Sequence, residues 1–159
     1  MKDTRLFGPR AARPDRDLGW NDAPMRVLLV EPDPAWRCAM ATWLEEFFGH
    51  VAVESVSSAT QALQSADQRS PDLVLAAHPL PAVDGVGLTA LLKARPNPPS
   101  IVVLTASAAA GLDLQCRGAG VDLLLEKRHL QSRLAAFLQR RFPKVWADGV
   151  AARSRASLH

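Results

Sequence analysis

Charged and polar side chains that could do chemistry follow three short apolar runs of this sequence. Glu31 and Asp33 follow RVLLV, Thr105 follows IVVL, and Lys127 follows VDLLLE. Such runs are typical of buried parallel strands, whose carboxyl ends meet at one edge of a sheet, where ligand sites collect. There, Thr105 and Lys127 could bind an anion or a small polar ligand. We favour the alternative, in which Lys127 pairs with Glu31 or Asp33 and Thr105 bonds to the backbone, because a lysine beside carboxylates is usually paired.

Five short apolar runs and the helical patterns between them position these residues. The runs predict strands at residues 26–30, 51–56, 73–77, 101–104 and 121–125. Apolar residues at helical spacing predict helices at 35–48, after Ser57-Ser58, up to about residue 94, at 108–117 and at 130–142. Five strands alternating with five helices imply right-handed crossovers and a parallel sheet covered on both faces. We therefore expect an α/β, flavodoxin-like (βα)5 doubly wound domain with strand order 2-1-3-4-5.

The chain divides into a leader at residues 1–24, a domain at 25–142 and a C-terminal tail at 143–159. The leader mixes Gly, Pro, Arg and Asp with little periodicity, although its Trp20 could dock on the domain. Because Met25 directly precedes the first strand, it stays open whether the leader belongs to the functional chain. Trp146 in the tail either folds back onto the domain or belongs to an interface. We expect a stand-alone unit, since neither segment is long enough for an effector domain.

The excess of positive charge lies in the two terminal segments. The net charge of the chain is +3. Residues 1–25 hold five basic and four acidic residues, residues 26–142 hold eleven of each, and residues 143–159 hold three basic and one acidic residue. The predicted domain therefore carries no net charge, and we favour solvated terminal segments over a phosphate-binding patch.

The composition predicts an ordinary soluble domain, with 48% hydrophobic and 22% charged residues. No apolar run approaches the roughly 20 residues that a membrane helix needs. The N-terminal arginines are not followed by the apolar segment of a secretory signal. Cys38 and Cys116 fall on helices that should cover opposite faces of the sheet, so we expect no disulfide. A cytoplasmic protein is the simplest expectation.

Residues 71–85, with the sequence PDLVLAAHPLPAVDG, combine a strand, a loop with two prolines and the start of a helix. The stretch resembles the third strand and following loop of bacterial response-regulator receiver domains, whose usual form is PDLVLLDLxMPxMDG. Receivers also carry a Thr or Ser after strand 4, a Lys after strand 5 and two acidic residues after strand 1. Thr105, Lys127 and Glu31 match these positions, with Glu31 as the first of the acidic pair. The resemblance implies a CheY-like fold and a role in two-component phosphorelay signal transduction.

Two positions depart from what the resemblance requires for phosphoryl transfer. The aspartate that accepts the phosphoryl group falls on Ala77, and the second acidic position, which contributes the main Mg²⁺ ligand, falls on Pro32. The reaction needs both a carboxylate nucleophile and a metal that neutralises the phosphoryl oxygens. Asp33 comes one residue later and should point away. We therefore expect a pseudo-receiver without catalytic residues, Mg²⁺ or enzymatic activity, whose remnant site comprises Glu31, Asp33, Thr105 and Lys127.

Three further positions concern the surroundings of this site. Leu124 stands where receivers usually have a switch Tyr or Phe, and we expect it to be a plain packing residue. Arg128 replaces the proline that usually follows the lysine, so this loop should take a different path. His78 directly follows Ala77 on a strand and should point to the opposite face. We expect a structural or exposed role for His78 rather than a phosphohistidine or a metal ligand.

Three functions remain open, of which we favour phosphorylation-independent signalling. Its partner, or a second copy of the chain, would bind through helix 4, strand 5 and helix 5. Trp36, at the mouth of the remnant site, either lies across it or is an exposed anchor for a partner. The alternatives are a nucleic-acid-binding adaptor that uses the basic C-terminal segment and a flavodoxin-like small-ligand binder. Against the last, residues 31–34 read Glu-Pro-Asp-Pro where a glycine-rich phosphate loop would stand.

Overall fold

The computed structural model describes residues 23–107 and 109–143. Five parallel strands pair in the order β2-β1-β3-β4-β5, so the predicted flavodoxin-like fold and strand order are confirmed. The strands are β1 (Met25–Val30), β2 (Val51–Val56), β3 (Leu73–His78), β4 (Ser100–Thr105) and β5 (Leu123–Glu126). The helices are α1 (Pro34–Phe48), α2 (Ala59–Gln68), α3 (Gly85–Lys93), α4 (Leu112–Ala119) and α5 (Leu130–Arg141), the last preceded by a 3₁₀ turn at Lys127–His129.

The expectations for the two ends of the chain concern residues outside this described part. They include the leader up to residue 22 with Trp20, and the tail from residue 144 with Trp146. None of the helices within residues 23–107 and 109–143 combines the length and the hydropathy of a membrane-spanning segment.

The burial of each strand follows its place in the sheet. The central strands β3 and β4 are buried at nearly every position, whereas the edge strand β2 has exposed and half-buried residues along most of its length. A parallel strand with helices on both faces has no solvated side. This is why the inner strands appear in the sequence as continuous apolar runs rather than as alternating patterns.

Two apolar clusters fill the two faces of the sheet. The first packs α1 and α5 against inward-facing side chains such as Leu29, Leu75 and Leu104. The second packs α2, α3 and α4 against the opposite face. The apolar stripe predicted on α1 contributes to the first cluster, with two members buried and two partly buried: Met40, Leu44, Trp43 and Phe47.

The two cysteines are free, as the sequence indicates. Cys38 is exposed on α1, and Cys116 is buried in the second cluster on α4, so they lie on opposite faces of the sheet. Burial raises the pKa of the Cys116 thiol, and the carboxylates of Asp113 and Asp84 raise it further. Because the thiolate is the nucleophilic form, Cys116 is a packing residue rather than a reactive group.

Helix α4 begins later than the sequence predicts. The Ala-rich pattern predicts a helix at residues 108–117, but α4 spans Leu112–Ala119. Gly111 directly before it has a left-handed φ of 84°, and Gly120 directly after it has a φ of 93°. Alanine favours helix by up to about 1 kcal/mol over glycine, yet a left-handed residue ends a helical path whatever its neighbours prefer. The turn at Gly111 therefore sets the boundary.

Two aspartates tie the strands together at their amino ends. The Asp72 carboxylate accepts a hydrogen bond from the backbone N of Arg26 at 2.8 Å. The Asp122 carboxylate accepts from the backbone N of Ile101 at 2.7 Å and from Lys93 Nζ at 2.9 Å. β5 begins at Leu123 rather than at residue 121 as predicted, and Asp122 directly before it contacts β4 through its side chain. These bonds help to fix the register of neighbouring strands, and the register determines which residues meet at the carboxyl edge of the sheet.

The loop after β3 turns back so closely that a side chain would not fit at its end. Asp84 caps α3 by accepting a hydrogen bond from the backbone N of Gly87 at 2.9 Å. A Cβ on Gly85 would lie 2.6 Å from the carbonyl oxygen of Ala77. Asp84 is therefore the N-cap of α3, and Gly85 is the residue whose backbone lies close to the end of β3.

This approach predicts that Gly85→Ala destabilises the domain while Gly118→Ala does not. The first change forces a backbone shift against Ala77 and should cost about 1–3 kcal/mol. A Cβ on Gly118 in α4 meets nothing within 4 Å, so the second change should stabilise the helix by about 0.5–1 kcal/mol. Urea unfolding of both variants measures the two effects. A Gly85→Ala variant as stable as the unmodified chain would contradict the close approach.

Candidate functional site

The sheet brings four of the predicted site residues to one edge. The residues directly before Glu31 and Ala77 pair with each other across β1 and β3. Thr105, the last residue of β4, pairs with the residue directly before Lys127 on β5. All four therefore stand at the carboxyl ends of adjacent strands, where α/β proteins place their sites.

Glu31 and Lys127 form the central contact of this edge. Lys127 Nζ lies 2.7 Å from Glu31 Oε1. The Glu31 side chain is only 4% exposed and that of Lys127 is 22% exposed. The second carboxylate oxygen, Oε2, accepts a hydrogen bond from the backbone N of Asp33 at 3.0 Å. Of the two partners that the sequence offers to Lys127, the structure selects Glu31, and both oxygens of this buried carboxylate have donors.

Asp33 serves the start of α1 rather than the Glu31–Lys127 pair. Its Oδ1 accepts hydrogen bonds from the backbone N of Ala35 at 3.0 Å and of Trp36 at 3.4 Å. Pro34 is the first residue of the helix, so the predicted start at residue 35 is one residue late. An N-cap aspartate followed by proline is a recognised helix start. The sequence therefore contained the signal for this role.

Trp36 lies against the ion pair. Lys127 Nζ is 4.7 Å from the centroid of the Trp36 ring, within the range of a cation–π contact. The indole is half-buried and packs against the first apolar cluster. Of the two interpretations offered by the sequence, the ring lies beside the site rather than standing free as an anchor. One arginine not singled out in the sequence also contributes, because Arg37 Nη1 donates to the backbone oxygen of Glu31 at 2.7 Å.

Ala77 and Thr105 complete the edge without adding a free polar group. Ala77 is 3% exposed and belongs to the second apolar cluster. Thr105 is buried, and its hydroxyl donates to the backbone oxygen of Ser107 at 2.9 Å. This is the backbone hydrogen bond that the sequence interpretation favoured.

The flanking residues Leu124, Arg128 and His78 have contacts of their own at this edge. Leu124 is half-buried and packs against the second apolar cluster. Arg128 lies in the 3₁₀ turn, where its Nη2 donates to Glu126 Oε1 at 3.0 Å. His78 is mostly buried, and its Nδ1 lies 3.9 Å from Asp84 Oδ2. Each of these side chains supports a loop or a cluster at the carboxyl edge of the sheet.

The buried ion pair predicts an asymmetric response to substitution. Lys127→Met leaves the Glu31 carboxylate buried without its cation and should cost about 3–5 kcal/mol. Glu31→Gln keeps an acceptor for Asp33 N and leaves a lysine that can reach water, so it should cost about 1–2 kcal/mol. Urea unfolding of both variants and of the double variant gives the coupling energy.

Lys93→Met is a matched control, because Lys93 pairs with a more exposed carboxylate, that of Asp122, and should cost less. Equal costs for Lys127→Met and Glu31→Gln would contradict the account.

Comparison with known proteins identifies the family of this chain. Residues 27–139 match the family described as Response regulator receiver domain. The sensor protein GacS of Pseudomonas syringae pv. syringae is 34% identical over 138 residues, which cover 83% of this chain and 15% of that protein. The positive alginate biosynthesis regulatory protein of Pseudomonas aeruginosa is 34% identical over 83 residues, covering 52% of this chain and 34% of that protein. The chain spans about half or less of the length of the curated relatives it matches.

A solved structure extends the likeness to three dimensions. The receiver domain of the sensor histidine kinase PA1611 from Pseudomonas aeruginosa PAO1 is 32% identical, with a TM-score of 0.66. The match covers 74% of this chain and 97% of that domain. A family match over most of the chain, a solved relative of the same fold and the observed strand order agree. This chain therefore belongs to the response regulator receiver domain family.

Proposed function

We propose that this receiver does not accept a phosphoryl group and acts in two-component signalling through phosphorylation-independent protein contacts. The observation that carries the proposal is the buried methyl group of Ala77 at the end of β3. Receivers use an aspartate carboxylate at this position as the nucleophile, and a methyl group has no electron pair to offer. Receiver domains are signalling modules rather than enzymes, and the proposal keeps this chain in that class, working in the cytoplasm.

The oxygen donors around Ala77 do not suit Mg²⁺, which supports the same proposal. Mg²⁺ requires near-octahedral oxygen coordination, with carboxylates free to take part. The Glu31 carboxylate is held by Lys127 and by the backbone N of Asp33, and the Asp33 carboxylate caps α1. Pro32 adds no side-chain oxygen. Within residues 23–107 and 109–143, no group of three or more His, Cys, Asp or Glu side chains could hold a metal ion.

The Glu31–Lys127 pair stabilises the site that lacks the acceptor aspartate. In phosphoryl transfer, cations stabilise the charge on the transferring oxygens. Here the ammonium group of Lys127 already faces a carboxylate at 2.7 Å and a tryptophan ring at 4.7 Å. An anion that replaced Glu31 would have to offset the loss of both contacts of Lys127. These two contacts support a site that stays in this arrangement without a phosphoryl group.

We place the contact with a partner on the face formed by α4, β5 and α5. Leu114 on α4 is 72% exposed, the largest exposed fraction among the large apolar side chains of residues 23–107 and 109–143. Exposed arginines lie on α5, which packs on the other face of the sheet, at Arg133, Arg140 and Arg141. Exposed apolar side chains and arginines are both enriched at protein interfaces. Other members of the family include sensor proteins, so a component of such a pathway is the proposed partner.

The first test is phosphorylation with a small donor. Acetyl phosphate and Mg²⁺ should add no mass to the unmodified chain, because the nucleophile and one metal ligand are missing. The double variant Pro32→Asp/Ala77→Asp restores both groups and should gain the mass of one phosphoryl group, measured on the intact protein. The single variants serve as controls and should gain less. Phosphorylation of an aspartate in the unmodified chain would contradict the proposal.

The second test locates the binding face. The chain is immobilised and used to capture partners from its native host, as the unmodified protein and as Leu114→Glu. A charge on α4 should remove a specific partner from the capture, because burying it in an interface is costly. Leu91→Glu is the matched control, since Leu91 is a 48% exposed leucine on α3. Beryllofluoride with Mg²⁺ should leave the capture unchanged. Loss of the partner with Leu91→Glu alone would place the interface on another face.

A further inference from the structure

Strand β2 lies at one edge of the sheet, and half of its backbone groups point away from the neighbouring strand. In the order of the described strands, β2 comes first and has β1 as its neighbour. The backbone N of Met25 on β1 donates to the backbone oxygen of His50 at 3.1 Å. Because backbone groups alternate between the two sides of a strand, those of every second residue after His50 face β1 and those between them face outward. We call the outward-facing residues the outer edge of β2: Val51, Val53 and Ser55.

The side chain of Glu45 on α1 occupies the middle of this outer edge. Its Oε2 accepts a hydrogen bond from the backbone N of Val53 at 3.3 Å. The backbone oxygen of Glu45 accepts from the backbone N of Gly49 at 3.2 Å, where α1 ends just before β2. Glu45 is an exposed residue, so burial in the core does not account for its position. Its carboxylate lies where the carbonyl oxygen of an added strand would have to lie.

The outer edge of β2 has the properties of a strand that could pair with another chain. β2 has six residues, whereas β5 at the other edge of the sheet has four. Three of the six are valines, which favour strands. Ser55 is exposed and Val53 is half-buried, so another molecule can reach them. Long edge strands pair readily with other chains, and a charged side chain placed at the edge is a common way to prevent this.

A second copy of the chain fits this edge about a two-fold axis at Val53. In antiparallel pairing, the backbone groups of Val53 would meet those of Val53 in the second copy, and Val51 would meet Ser55. Such pairing would join two five-stranded sheets into one. The bond to Glu45 occupies the N–H group at the centre of this pairing. The two Glu45 carboxylates would also come close together beside the axis, where like charges repel each other.

We propose that the outer edge of β2 is a self-association surface that Glu45 keeps closed. With Glu45 present, the Val53 N–H is occupied and two negative charges would meet at the axis. Without this carboxylate, two copies pair through their outer edges. The surface is separate from the proposed contact at α4, β5 and α5, because β2 and β5 are the opposite ends of the strand order. It also does not depend on whether the receiver accepts a phosphoryl group.

Sedimentation equilibrium of the full-length variants Glu45→Ala and Glu46→Ala tests the proposal. Both variants remove one negative charge from an exposed position near the end of α1, and alanine favours a helix. Glu45 is the one of the two that bonds to Val53. Glu45→Ala should lower the dissociation constant of the dimer at least about tenfold, because pairing no longer breaks two hydrogen bonds. Glu46→Ala should behave like the unmodified chain. Glu45→Gln keeps an oxygen acceptor for Val53 and should associate less than Glu45→Ala.

Amide spectra recorded over a range of concentrations locate the association. In Glu45→Ala, the signals of Val51, Val53 and Ser55 should change most as the concentration rises. Equal association of the Glu45→Ala and Glu46→Ala variants would overturn the proposal, and so would a Glu45→Ala variant that associates no more than the unmodified chain. Changes centred on α4 or α5 would also overturn it, because they would place the association on another face.

Discussion

The site depends on the need of one buried carboxylate for partners. Glu31 directly follows strand β1, its side chain is almost wholly excluded from water, and an unpaired carboxylate there would cost several kcal/mol. Its two oxygens are satisfied from different parts of the chain, by Lys127 after β5 and by the backbone N that opens α1. The pair joins residues 96 positions apart in the sequence. It thereby links the end of the first strand to the end of the last strand, and Trp36 lies beside the lysine.

The same contacts explain why the receiver architecture remains while its chemistry is proposed to be lost. An aspartate at position 77 and a second acidic residue at position 32 would compete with Glu31 for Lys127 and would need a metal to balance their charge. With Ala77 and Pro32 in these places, one carboxylate faces one ammonium group and no excess negative charge remains. The loop that follows β3 keeps its Asp-Gly form for a different reason, because Asp84 caps α3 and Gly85 packs on the backbone of Ala77.

Much of this arrangement could be predicted from the sequence, and the remaining features could not be predicted for identifiable physical reasons. The apolar runs predict the strands because inner parallel strands are buried on both faces, and the strand ends then bring Glu31, Thr105 and Lys127 together. The predicted start of α4 was wrong because the prediction gave the Ala-rich pattern more weight than the single glycine at residue 111. The sequence named Glu31 first and left Asp33 as the alternative partner for Lys127, since the choice rests on Asp33 being used as a helix cap. The hydrogen bond from Val53 to Glu45 has no sequence signal, because it depends on how α1 lies beside the edge of the sheet.

Titration of the unmodified chain with Mg²⁺, followed by the amide signals of Asp33, Ala77 and Thr105, tests the central claim most directly. If Lys127 occupies the Glu31 carboxylate and no other oxygen ligands are free, these signals should show only small, linear changes up to millimolar Mg²⁺. Saturable shifts at the carboxyl edge of the sheet would show that the metal displaces Lys127 from Glu31. That result would contradict the account of the site.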